Sequence, residues 1–282
     1  MTVAVITDSV SDLSPDVAQE LGITIVPFHV HIGRESYLDD ASLDMNEFYH
    51  RMDNADSPDY PKTSMPNLSE FITVYSELAK KTNEILSIHI SSGIDATCNT
   101  TMAAAREVEN CHIEVVDSQA TLMGTGLLAI EAAKMAKEGM GLSHINTNAC
   151  NTITKSHTLL TCKSAKYLVR GGHASQTLKV LLGSALRIKP LIELKGQILP
   201  FGKAMGHARA IDALYKYVNS FPHPRSLAVD YSTDAQEAKS VAGRLEQMFP
   251  GIPIYIGVIS PVVGAHTGPG TLAVSIIEGE TG

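Results

Sequence analysis

Three short stretches bring hydroxyls, glycines and an imidazole together in a way that suits an anion: Thr63-Ser64-Met65-Pro66-Asn67, Ser91-Ser92-Gly93 and Gly264-Ala265-His266-Thr267-Gly268-Pro269-Gly270. Hydroxyls and backbone N–H groups donate to carboxylate or phosphate oxygens, glycine lets the backbone approach a ligand closely, and His266 adds a ring N–H. Each stretch also has an ordinary reading, because Ser, Asn and Gly are the usual turn and cap residues. Asn67 or Ser64 could cap a helix opening near Leu68, and Gly264 to Gly270 could be a tight turn in which His266 serves a buried carbonyl.

Other chemistries find less support. No Lys-Ser/Thr follows Gly270 and the glycines lack the GxGxxG spacing, so neither a phosphate-binding P-loop nor a dinucleotide fingerprint is present. Ser91 and Ser92 lie outside any Gly-x-Ser-x-Gly elbow and have no committed His/Asp pair, which sets a Ser/Thr-dependent hydrolase or transferase below a binding protein. The four cysteines form no CxxC pair, so buried or semi-buried free thiols are expected, with neither disulfide nor metal. His29 and His31 share one strand face, which fits a polar strand edge better than a ligand pair.

The elements that must position these residues follow an alternating pattern. Val3 to Asp8 reads as a buried parallel strand; Ser14-Pro15 then supplies an N-cap and an N1 proline for a helix that Gly22 ends before the strand Ile23 to Pro27. Helices over 44–51 and 68–80, a strand over 84–90 running into Ser91, a helix over 99–108, a strand over 113–116 and a small-residue helix over 123–137 complete a layered α/β unit to about residue 155. Thereafter the pattern is α+β: helices over 164–170 and 175–182, a hairpin of 188–194 with 196–200, a helix over 204–218, a strand over 226–230, a helix over 234–248, a strand over 254–258, the glycine-rich loop and a last strand over 271–277. The expected fold is therefore α/β with two domains, 1–155 with a mainly parallel sheet and 156–282 of α+β type.

A net charge of −8 argues against a nucleic-acid backbone as partner. At 282 residues, 44% apolar and 18% charged, the chain has the composition of an ordinary globular protein. Its longest apolar stretches fall short of the roughly 20 residues that span a bilayer, so no integral membrane segment is expected. Asp8 interrupts the opening apolar run before it could serve as a signal peptide, and the cytoplasm is the expected location.

The order of several phrases resembles the DegV family of bacterial lipid-binding proteins. They are Asp8-Ser9, Leu21 to Pro27, Tyr37-Leu38-Asp39-Asp40, Pro61 to Asn67, Leu86 to Gly93, Val116-Asp117-Ser118, Tyr167-Leu168-Val169-Arg170-Gly171-Gly172-His173, Leu182-Gly183-Ser184, Ile188-Lys189-Pro190 and Gly264 to Gly270. The resemblance implies a long-chain fatty acid held between the two domains, with no other cofactor. It places the carboxylate at Thr63, Ser64, Ser92, Gly93 and His266, with Thr267 and Gly268 alongside and Arg170 as a nearby cation or interdomain tie. It also implies a non-catalytic role in which the acid is presented to a separate fatty acid kinase that makes acyl phosphate for phospholipid synthesis. Candidate tunnel residues are Phe28, Ile94, Met123, Leu127, Leu186, Ile188 and Leu191, although apolar residues of this kind are usually plain core. The chain departs from the family phrase at Ile94-Asp95-Ala96-Thr97, where an acid stands in place of a small residue, and the basic run after the hairpin is reduced to Lys203, His207 and Arg209.

Overall fold

The protein is described from a computed structural model over residues 3–40, 43–54, 60–164, 166–170 and 188–279. The expected helix over 175–182, Gly171 to His173, the Leu182-Gly183-Ser184 phrase and Leu186 lie outside the described residues.

Strand β1 (Ala4–Asp8) is nearly all buried and is followed by helix α1 (Pro15–Leu21), where the Ser14 side chain accepts the Val17 N–H as N-cap and Gly22 closes the last turn. Strands β2 (Ile23–Val26), β6 (Glu84–His89) and β7 (His112–Asp117) join β1 in an all-parallel sheet of order β2-β1-β6-β7. Between β2 and β6 the chain builds β3 (His29–Ile32), β4 (Glu35–Leu38), helix α2 (Met45–Asn54), β5 (Lys62–Ser64) and helix α3 (Leu68–Ala79). β3, β4 and β5 form a small antiparallel sheet of order β4-β3-β5. A strand through His29 and His31 was expected here, but β4 and β5 were not foreseen, because they are only three or four residues long and carry Glu, Ser and Lys rather than an apolar run.

The start of α3 bears out the cap at Asn67: its side chain accepts the Glu70 N–H at 3.1 Å while the Glu70 carboxylate accepts the Asn67 N–H at 2.7 Å. This reciprocal pair satisfies two otherwise orphaned donors. Asn67→Ala is expected to lower stability by about 1 kcal/mol, read as a shift of the urea midpoint at unchanged slope.

Helix α4 (Thr97–Arg106) follows β6, and α5 (Met123–Lys137) and α6 (Leu142–Ile153) follow β7. Eleven residues of α5 are buried, so it is apolar around nearly its whole circumference, as a helix packed on several sides must be. Its side chains join Val5, Leu86 and Ile88 of the parallel sheet to Ala228 and Ile277 of a second sheet in one core.

That second sheet is mixed and six-stranded, with order β10-β9-β8-β13-β11-β12. Its strands are β8 (Ser156–Thr161), β9 (Ile188–Leu194), β10 (Ile198–Met205), β11 (Pro224–Tyr231), β12 (Ile254–Val258) and β13 (Leu272–Glu278). Only β11 and β12 pair parallel; the other ladders are antiparallel. Helices α7 (Lys166–Arg170), α8 (His207–Asn219) and α9 (Ala235–Met248) accompany it, and the expected hairpin is β9 with β10.

One element overturns its expectation. Residues 264–267, read as part of a glycine-rich loop, lie in helix α10 (Pro261–Thr267). Ser260 caps α10 by accepting the Val263 N–H, and Pro261 stands at its first position, the same device that starts α1. All four cysteines are free; Cys98 and Cys162 are buried and Cys111 half-buried as expected, but Cys150 is exposed.

Candidate functional site

In the parallel sheet the chain leaves β1 to one side for β2 and returns on the other side at β6, so the carboxyl ends of β1 and β6 border the crevice where ligands bind in open α/β sheets. A cavity partly open to solvent occupies this place. Val10 and Ile90, each just beyond one of these strands, line it together with Phe28 and Ile94. The opposite wall comes from the second sheet through Leu160, Ile192, Leu194 and Ile198, with Leu168 of α7 beside them. An apolar lining with a few polar groups is what small-molecule sites share.

Helix α10 closes the cavity with one face. Val262, Val263, His266 and Thr267 all line it, at the spacing that puts residues on one side of a helix. Thr63 faces them from β5, its Oγ1 3.0 Å from His266 Nε2. The hydroxyl of Tyr60 donates to the Ala265 carbonyl at 2.7 Å, which ties the same helix to the segment before β5.

The predicted polar residues therefore separate into two groups. Thr63, His266 and Thr267 line the cavity. Ser64 does not, because neighbours in a strand point to opposite faces; its hydroxyl lies 2.9 Å from His31 Nε2 on the exposed side. Ser92 is exposed and donates its hydroxyl to Asp117 Oδ2 at 2.5 Å. Gly93 also stands outside the lining, where the β9–β10 turn presses on it so closely that a Cβ would sit 2.2 Å from the Gly196 carbonyl oxygen. The neighbouring Ser91 donates to that carbonyl at 2.7 Å. Gly268 packs against the Tyr167 ring, and Arg170 lays its guanidinium 5.1 Å from the Tyr60 ring centroid. Nor do the candidate residues sit in loops as expected: Thr63 and Ser64 are on a strand, and His266 and Thr267 on a helix.

Of the apolar candidates, Phe28 and Ile94 line the cavity, while Met123 and Leu127 belong to the core around α5, and Ile188 and Leu191 are on β9 outside the lining. Sequence reasoning did not place Asp95 and Thr121 in the wall. The acid at 95 was visible as a departure from the family phrase, but its direction was not.

A serine, a histidine and an aspartate do form a chain in this protein, away from the cavity. Ser87 Oγ is 2.6 Å from His89 Nε2, and His89 Nδ1 is 2.9 Å from Asp8 Oδ2. All three are fully buried, Tyr75 shares the serine hydroxyl at 2.8 Å, and Asp8 also accepts the Ile90 N–H at 3.0 Å. With no access to a substrate, the chain acts as an internal brace that fixes where β6 delivers Ile90 to the cavity.

A buried acid pair, Asp12 and Asp230, lies beside α5. Asp12 accepts the Ser260 N–H at 3.0 Å and Asp230 the Met123 N–H at 3.3 Å, each through Oδ1, while the Oδ2 atoms take no hydrogen bond among the described residues. Burial pushes the Asp230 carboxyl up to about 8; burial and then the Asp230 charge hold Asp12 well above the ordinary carboxylate range.

Known proteins agree with this architecture. The family model described as "Uncharacterised protein, DegV family" matches residues 2–279. Protein DegV of Bacillus subtilis (strain 168) is 27% identical over 279 residues, covering 97% of this chain and 98% of its own. A DegV family protein from Thermus thermophilus, described as fatty acid binding, superposes with a TM-score of 0.88 at 26% identity over 99% of this chain and 100% of that one. The crystal structure of DegV from Bacillus subtilis, described as a fatty acid binding protein, gives a TM-score of 0.88 at 27% identity with the same coverage. With a family match from residue 2 to residue 279, the chain belongs to the DegV family.

Proposed function

We propose that this protein binds a long-chain fatty acid in the cavity between its two halves, divided near residue 155, and holds the carboxylate at Thr63 and His266. The observation that carries the reading is an apolar cavity with this one hydroxyl–imidazole pair set into its wall, 3.0 Å apart. Relatives described as fatty acid binding support it. Burying a chain of about sixteen carbons contributes more than about 10 kcal/mol gross, at about 0.8 kcal/mol per CH2, before the costs of association. Affinity therefore comes from the apolar wall, and the polar pair sets which end is held.

The remaining polar candidates act at one remove. Gly93 and Gly268 let Gly196 and Tyr167 approach, and Arg170, stacked on Tyr60, steadies the residue that holds α10. The role is binding and presentation, not turnover. Ser92 donates to the Asp117 carboxylate and Ser91 to the Gly196 carbonyl, and neither serine lines the cavity that would hold a substrate. The partner in this reading is a separate fatty acid kinase that phosphorylates the presented carboxylate in the cytoplasm.

Mass spectrometry of small molecules released on denaturing the purified protein tests the binding step. The expected result is a stoichiometric fatty acid in the wild type, reduced at least about tenfold in a Thr63→Ala/His266→Ala variant that melts as the wild type does. A wild type that is empty and takes up no added palmitic acid would sink the proposal. For the presentation step, acyl phosphate should form only when ATP, the kinase and the loaded protein are combined.

A further inference from the structure

The cavity wall contains a carboxylate that the reading above leaves idle. Of the polar residues lining it, Thr121 donates its hydroxyl to the Val10 carbonyl at 3.0 Å, Thr267 donates to the Val263 carbonyl at 3.1 Å, and Thr63 and His266 pair with each other. Asp95 is different. Its Oδ1 accepts both the N–H of Thr97, at 2.9 Å, and the Thr97 hydroxyl, which locks the side chain in place at the start of α4. These bonds occupy one oxygen only, and Oδ2 remains as an acceptor, the one carboxylate in a wall whose other polar side chains are three threonines and a histidine.

A ligand filling this space must leave Oδ2 in contact with water or bring it a donor, since a carboxylate stripped of water without a hydrogen bond is costly. A plain fatty acid brings only C–H groups and a second negative charge into the same cavity. An acyl chain bearing a hydroxyl brings an O–H that makes a charge-assisted bond to Oδ2. The ligand retains its carboxylate, because Thr63 and His266 offer hydrogen-bond donors to an anion. An alkyl ammonium would satisfy Asp95 but set its positive charge against those donors. We infer that the cavity selects a hydroxylated long-chain fatty acid, its carboxylate at Thr63 and His266 and its hydroxyl donating to Asp95. This rests on the binding reading above and narrows it to a class of ligand.

The test is competitive binding to the delipidated protein with palmitic acid and its 2-, 3- and 16-hydroxy derivatives. At least one hydroxy acid is expected to bind the wild type about tenfold more tightly than palmitic acid, because a site that offers a hydrogen bond discriminates against the analogue that lacks the group. In Asp95→Ala that advantage should fall to within about twofold, with palmitic acid binding more tightly than before. Asp95→Asn keeps Oδ1 for Thr97 while removing the charge, so it serves as the variant in which the local fold is preserved, and it should also gain affinity for palmitic acid. Palmitic acid binding the wild type as well as every hydroxy acid, or a preference that survives Asp95→Ala, would overturn the inference and leave fatty acid binding standing. Failure of all four acids to bind the wild type would overturn both.

Discussion

Gly268→Ala is expected to lower stability by about 4 kcal/mol, the largest effect of any single methyl group added to this site. Two causes add. Gly268 follows α10 at φ 81 and ψ 177, a region that side chains with a Cβ hardly enter, at a cost of about 1–3 kcal/mol. An added Cβ would also stand 2.0 Å from one carbon and 2.3 Å from another of the Tyr167 ring. That ring cannot retreat freely, because its hydroxyl donates to Asp53 on α2, and overpacking of this kind costs about 1–3 kcal/mol. The two causes are separable by a double-mutant cycle. In a Tyr167→Ala background the steric part should vanish and the backbone part persist, leaving Gly268→Ala with roughly half its cost in urea unfolding. An equal cost in both backgrounds would show that the ring is not what Gly268 accommodates.

The second large effect is on pH dependence. Asp230 titrates near 8 in the folded protein, chiefly because burial disfavours its charge, and near 4 when unfolded. The folded state thus holds a proton that the unfolded state releases. Its contribution is fully present below about pH 4, is lost as pH rises to about 8, and amounts to on the order of 5 kcal/mol over that window. Asp39, raised to about 6 mainly by burial, acts with the same sign. In Asp230→Asn the carbonyl oxygen still accepts the Met123 N–H, and no charge develops beside Asp12. Urea unfolding at pH 5, 6.5 and 8 should show the wild type losing stability with each step, and the variant gaining on it until it is the more stable at pH 8. Parallel profiles would remove Asp230 as the source.

Much of this architecture was legible in the sequence where local chemistry speaks for itself. Ser14-Pro15 marked the start of α1, and Asn67 marked the start of α3. Leu142 to Ile153 went unassigned, and Thr63 and Ser64 were read as loop. A three-residue strand has too little pattern to show period two, and β5 exists only because β3 pairs with it. The glycine-rich reading of 264–270 failed for a different reason. Ser260-Pro261 repeats the Ser14-Pro15 signal, but three glycines in seven residues outweighed it, although Gly264 needs no loop: a Cβ there would meet the Tyr49 hydroxyl at 2.4 Å. Packing against Tyr49, not backbone freedom, asks for glycine at that point.

The candidate site was legible as a set of residue types and much less as a set of directions. Thr63 and His266 are 203 positions apart, and nothing local says that they meet. Whether Thr63 or Ser64 turns inward depends on the register of a strand that the sequence did not announce. Ser92 illustrates the converse: its type suited an anion site, yet Asp117 at the end of the neighbouring strand claims its hydroxyl.

The strand order of the six-stranded sheet has a consequence for how the protein is made. β13 lies between β8 and β11 and pairs with both, although more than a hundred residues separate it from β8 along the chain. During synthesis β8 and β11 emerge with no partner between them and wait with open edges until residue 278 has followed. Helix α10, which closes the cavity, is made just before that strand. The cavity is therefore closed only after residues 261–278 have been made, and sequence-distant pairing of this kind folds slowly. Until then the ribosome-bound chain exposes apolar sheet edges of the sort that chaperones recognise.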